Sequence, residues 1–132
     1  MPQKLYPPAM KLKSGFWYLA SPYAKWKNKD DAAAHVAAIA GRMLTQDVAT
    51  FSPIAHWHYI RQYAPSLNSL THADWLKIDK LFVDQAYGLI VAGLPGWNES
   101  NGVAQEISWF KEAGKPIFLL DLMDLSCSRS IP

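Results

Sequence analysis

Two carboxylates stand where acids facing water do not belong. Glu106 comes three residues after Val103 and four before Phe110, on the border of an apolar helical stripe of Val103, Ile107, Phe110 and Ala113. Asp79 comes four residues after Trp75 and three before Phe82, on the face that carries Trp75, Phe82, Val83 and Ala86. Burying an ionised carboxylate without partners is costly. Each acid is therefore either hydrogen-bonded structure, to a backbone amide or to Arg42, or part of a site. Two acids converging on one edge of a sheet favour the site, because paired carboxyls in different environments divide the work of nucleophile and proton donor.

Other chemistry-bearing groups collect at turns. Ser100, Asn101 and Gly102 open the Glu106 helix just beyond an apolar run, the place where α/β proteins bind ligands and where a helix N-terminus favours anions. Tyr18, Ser21 and Tyr23 put two phenols and a hydroxyl at the first strand end, either as phosphate or sugar contacts or as a core aromatic followed by a plain Ser-Pro turn. His56 and His58 flank Trp57 after another strand end; stacking of a planar base and hydrogen bonding suit them better than a metal, which needs a third ligand at recognisable spacing. Trp97 is placed to pack over a ligand, and Glu99 reads as a solvated loop acid. Neither a Walker nor a dinucleotide glycine pattern is present, which argues against triphosphate hydrolysis and NAD.

The elements that must position these residues alternate between strand and helix. Strands are expected at 15–20, 48–51, 87–92 and 117–120. An alanine-rich helix capped by Asp30 or Asp31 runs to Leu44, a short helix is one reading of 54–63, and 65–70 reads as loop. Thr71 caps a helix over 72–86, and Ser100 or Asn101 caps the one that Gly114 stops. The order β-α-β-(α)-α-β-α-β predicts a single α/β domain, a Rossmann-like or flavodoxin-like three-layer sandwich around a parallel sheet of four or five strands. Residues 1–14 read as a loose extension, 15–125 as the domain and 126–132 as a tail.

With 132 residues, half of them hydrophobic, the chain has the composition of one soluble domain. The net charge of +2 owes much to lysines before residue 30, too weak and too terminal to indicate nucleic acid. No apolar run approaches the roughly 20 residues that span a bilayer, and no signal-peptide core precedes Gly15, so no membrane partner and a cytoplasmic location are expected. Cys127 is the only cysteine and is given no role. A receiver-like domain would need acids at the end of the first strand, and Tyr18 to Tyr23 supplies none.

Four short stretches, in order, carry a resemblance: Tyr18-Leu19-Ala20-Ser21-Pro22-Tyr23, Phe51-Ser52-Pro53-Ile54, Trp75-Leu76-Lys77-Ile78-Asp79, and Ser100-Asn101-Gly102-Val103-Ala104-Gln105-Glu106 ahead of Gly114-Lys115-Pro116-Ile117. With them the chain resembles the nucleoside 2-deoxyribosyltransferase-like superfamily, specifically its small DUF1937-type members. The resemblance implies cleavage of the N-glycosidic bond of a nucleoside or nucleotide. Glu106 would be the nucleophile, Asp79 the acid that protonates the departing base, and Tyr18 the residue that orients the nucleophile. Ser100 matches a position that is acidic in the deoxyribosyltransferases but serine in the related nucleoside 5′-monophosphate N-glycosidases, so hydrolysis of a monophosphate is expected over base exchange. Ser21-Pro22-Tyr23 departs from the glycine- and arginine-rich loop of those glycosidases. The resemblance also implies a homo-oligomer with a shared site; no cofactor or metal is expected. The alternative is a nucleotide-binding or sensing module of the same fold that does no catalysis.

Overall fold

The computed structural model describes residues 15–24, 26–123 and 127–128; the extension read over 1–14 lies outside them. The elements are β1 (Trp17–Ala20), α1 (Lys29–Leu44), β2 (Thr50–Phe51), α2 (Pro53–Tyr63), α3 (His72–Gln85), β3 (Gly88–Ala92), α4 (Asn101–Glu112), β4 (Ile117–Leu120) and β5 (Cys127–Ser128), with 3-10 turns at Pro65–Ser69 and Trp97–Glu99. They build one mixed α/β domain around a five-stranded sheet of order β2-β1-β3-β4-β5. The first four strands are parallel, whereas β5 runs antiparallel to β4, Leu120 pairing with Cys127. Two residues assigned to a tail are thus the sheet's edge strand, and Cys127 packs into the core. Among the described residues no helix is long and apolar enough to cross a membrane.

Alternation along the strands sorts the core into two layers. Trp17, Leu19, Ile90, Ala92, Phe118 and Leu120 meet Val36, Ile39 and Met43 of α1 on one face. Tyr18, Ala20, Leu89 and Val91 meet Val83 of α3 and Val103 and Phe110 of α4 on the other. β1 and β3 are buried along their whole length, as central parallel strands covered on both faces must be. The step from β1 outward to β2, and from β1 the other way to β3, puts the switch in strand order at the carboxyl ends of β1 and β3.

Local chemistry fixes where the helices begin. Asn28, not Asp30 or Asp31, caps α1, its side chain accepting from the Asp31 amide; the two aspartates lie in the first turn, where they complement the helix dipole. Ser52 caps α2 with Pro53 in the first turn, so 53–63 is a full helix. Thr71 and Asp74 form a reciprocal capping box at α3. At the far end of α3, Lys115 donates to the carbonyls of Val83 and Asp84, tying this helix to the segment between α4 and β4.

Gly88 shows how tightly β3 is seated. A Cβ there would lie 2.5 Å from Trp17 Cζ3 and 2.6 Å from the Pro116 carbonyl oxygen. Trp17 is wholly buried and the oxygen is backbone, so neither yields cheaply. Gly88→Ala is expected to destabilise the fold by about 1–3 kcal/mol, read by denaturant unfolding. An unchanged midpoint would show that the sheet has slack at this position.

Candidate active site

A cavity of about 830 Å³ opens at the carboxyl edge, beside the switch in strand order. Its wall takes Ser21, Pro22 and Tyr23 from the end of β1, Trp57, His58 and Arg61 from α2, and His72, Trp75 and Asp79 from α3. The loop after β3 and the start of α4 add Gly96, Glu99, Ser100, Asn101 and Gly102, with Glu106 and Trp109 further along that helix. The two carboxyls singled out from sequence spacing therefore share one cavity.

Glu106 is 8% exposed, on the buried face of α4 with Val103 and Phe110. Loss of water pushes its carboxyl up to about 8; interaction with the Tyr18 hydroxyl pulls it down, and the Asp79 charge adds to the rise. Tyr18 lies beneath, wholly buried and packed against Phe51 and Phe110. It is both core aromatic and neighbour of the acid. Its hydroxyl is close enough to Glu106 to bias the carboxyl's proton but closes no hydrogen bond of full geometry; among the described residues this oxygen and Ser21 Oγ are buried without a partner. Burial first, then the Glu106 and Asp79 charges, push the phenol far above its usual range.

Asp79 is held by an aromatic frame, not by Arg42, whose guanidinium reaches the Leu122 carbonyl instead. Trp57 Nε1–H donates to Asp79 Oδ1 at 3.2 Å. Burial pushes this carboxyl up to about 6, and the indole bond moderates the rise. Trp57 leans on Trp75, and the Arg61 guanidinium lies over the Trp75 ring. Trp26, Trp57, Trp75 and Trp109, four of the chain's six tryptophans, line the cavity. Such walls suit a flat, conjugated ligand.

At the other helix mouth Ser100 Oγ accepts the Val103 amide at 3.3 Å, which makes Ser100 the cap and starts α4 at Asn101. The first-turn N–H groups of a helix have no intrahelical carbonyl, so Ser100, Asn101 and Gly102 give the cavity an electropositive rim.

The structure brings Ser21, Tyr23, His58, Ser100, Asn101 and Gly102 to the cavity but not His56 or Trp97. Because 53–63 is a helix, residues two apart point about 200° away from each other, and His56 is exposed beside Phe51. Trp97 begins the 3-10 turn and packs on the core layer that holds Tyr18 and Val103, leaving Gly96 and Glu99 at the wall. Arg61, His72, Trp26 and Trp109 were not evident from sequence. Arg61 follows Trp57 by four and His72 precedes Asp79 by seven, spacings that mark shared faces once both helices are known. Among the described residues no three His, Cys, Asp or Glu side chains converge as a metal site needs.

The raised carboxyls tie stability to pH. Folded Glu106 keeps its proton up to about 8, against 4.5 when solvated, so between these values the folded chain binds more protons than the unfolded one. Its share of stability is complete below about 4.5 and fades as pH rises through 8. Glu106→Gln, which cannot ionise, should lose less stability than wild type between pH 5 and pH 8 in denaturant unfolding. Parallel curves for the two proteins would place Glu106 in water instead.

Comparison with curated proteins finds no match to this chain. The model of the domain of unknown function DUF1937 matches residues 15–122, from the start of the described fold to just beyond β4. That span takes in α3, α4 and every residue of the cavity wall, and the chain belongs to the DUF1937 family.

Proposed function

We propose that this protein cleaves the N-glycosidic bond of a nucleoside or nucleoside 5′-monophosphate, with Glu106 as nucleophile and water as the favoured acceptor. The observation that carries the reading is the convergence of Glu106 and Asp79 on one tryptophan-lined cavity, with Tyr18 beneath Glu106. In the first step a Glu106 oxygen bonds to the anomeric carbon while the C–N bond breaks. The departing nitrogen keeps that electron pair and takes a proton from Asp79. In the second step water attacks the same carbon, gives a proton to Asp79 and releases the Glu106 carboxylate. A carboxylate beside an oxocarbenium-like centre stabilises its positive charge, and the burial of Glu106 strengthens that attraction. The Ser100 hydroxyl and the helix mouth suit a 5′-phosphate, which a carboxylate at that position would repel.

This chemistry needs Glu106 ionised and Asp79 protonated, yet burial raises Glu106 to about 8 and Asp79 only to about 6. The reactive pair is thus the minor arrangement of one shared proton. Its population is bell-shaped in pH, highest midway between the two values, at about 7. The same observation favours the second reading, a binding or sensing module: a Glu106 that keeps its proton donates a hydrogen bond rather than attacks.

Release of free base from a panel of ribo- and deoxyribonucleosides and their 5′-monophosphates separates the two. The expected result is release with a bell-shaped dependence centred near pH 7, abolished in Glu106→Ala. In Asp79→Asn the rate should fall by about 10²- to 10⁴-fold, the usual worth of a proton donor. Saturable nucleotide binding without release would establish the sensor.

A further inference from the structure

One cluster on the cavity wall takes no part in that chemistry. His58 Nε2 lies 2.6 Å from Asp30 Oδ1, and His58 Nδ1 lies 3.2 Å from the Tyr23 hydroxyl. Tyr23 and His58 line the cavity; Asp30, in the first turn of α1, is exposed and does not. Beside them Lys29 donates to the carbonyls of Tyr23, Ala24 and Trp26 at 3.0, 2.6 and 2.6 Å, and its ammonium sits over the Tyr23 ring. The loop that carries Tyr23 is therefore held from two consecutive residues of α1, through its backbone by Lys29 and, by way of His58, through the Tyr23 side chain by Asp30.

The donor and acceptor count along this chain has one solution for a neutral imidazole. An ionised carboxylate only accepts, so the ring nitrogen 2.6 Å from Asp30 must carry the hydrogen. The Gln62 amide nitrogen, 3.2 Å from that same atom, is itself a donor and gives its hydrogen to Asp30 Oδ1 at 3.4 Å, which leaves the Nε2 hydrogen to the same carboxylate. Nδ1 is then bare and accepts, and the Tyr23 O–H must donate to it. Burial and the Asp30 charge both raise the phenol, against the pull of Arg61, so its proton is there to give. With its hydrogen committed to His58, the Tyr23 oxygen offers the cavity lone pairs alone.

We infer that Asp30 is a positioning residue: through His58 it fixes Tyr23 as a hydrogen-bond acceptor on the cavity wall, selecting a ligand group that donates. A sugar hydroxyl or a base N–H satisfies it; a phosphate oxygen does not. This deepens the nucleoside reading and rests on it for the identity of the ligand. It also assigns the phosphate to the Ser100 end and away from the first turn. Without Asp30 the imidazole hydrogen is free to move to Nδ1, and Tyr23 then turns its O–H outward, reversing what the wall selects.

The test is the tautomer of His58, read from long-range ¹⁵N–¹H correlation spectra of the full chain at pH 8. Wild type should show hydrogen on Nε2 with Nδ1 bare. Asp30→Ala should shift it wholly or partly to Nδ1, whereas Asp30→Asn, whose side-chain oxygen still accepts, and Tyr23→Phe should keep the wild-type pattern. An Nδ1–H ring in wild type, or no change in a folded Asp30→Ala protein, would overturn the inference. The spectra require no turnover, so a chain that releases no base defeats the glycosidase and leaves this result standing on its own.

Discussion

A carboxyl group that is 8% exposed between α4 and the Tyr18 face of the sheet has lost most of its hydration, and its surroundings must replace what water supplied. They do so incompletely. The Tyr18 hydroxyl is near but not fully bonded, Asp79 adds charge of the same sign, and Glu106 keeps its proton well into the neutral range. A group left in that condition is costly to the fold and useful to a ligand that brings positive charge. The position of Tyr18 follows from β1, whose alternation sends Trp17 and Leu19 to one layer and Tyr18 and Ala20 to the other. The position of Glu106 follows from the Ser100 cap, which sets the rotational phase of α4.

Around that buried acid the carboxyl edge is assembled from starts and stops of helices, each fixed by a few polar bonds. The Thr71–Asp74 capping box and the Lys115 bonds hold the two ends of α3, and Asp79 lies between them. Ser52 starts α2 so that Trp57, His58 and Arg61 turn toward the cavity. The first turn of α1 holds the loop of Tyr23 and Trp26. Side chains borne on capped helices keep a geometry that free loops would not, which is what the proposed two-carboxyl reaction demands.

Most of this architecture was legible in the sequence because it rests on local rules. Apolar runs closed by glycine and proline gave four strands, within about two residues of their ends, and the stripe positions of Asp79 and Glu106 placed both acids on the correct layer. What escaped reading depends on distant partners. β5 is two residues long and exists only because β4 offers it an edge, so no periodicity announces it. The aromatic segment after Ser52 had no clean stripe; whether it was helix or loop decided which of His56 and His58 faces inward, and only packing against its neighbours settles that. Arg61 and Trp109 lie on the cavity wall because α2 and α4 both border it, a placement that spacing along either helix does not reveal. The choice of Trp57 over Arg42 as partner of Asp79 is a contact between two helices, invisible to spacing along either one.

In the proposed reaction Glu106 becomes covalently attached to a sugar. The most direct measurement is mass spectrometry of the protein quenched in acid during incubation with a nucleoside 5′-monophosphate, followed by mapping of the modified peptide. The expected result is a pentosyl phosphate increment on the peptide that contains Glu106, with the base lost. Base release accompanied by an unmodified Glu106 peptide and a sugar on another carboxylate would contradict it.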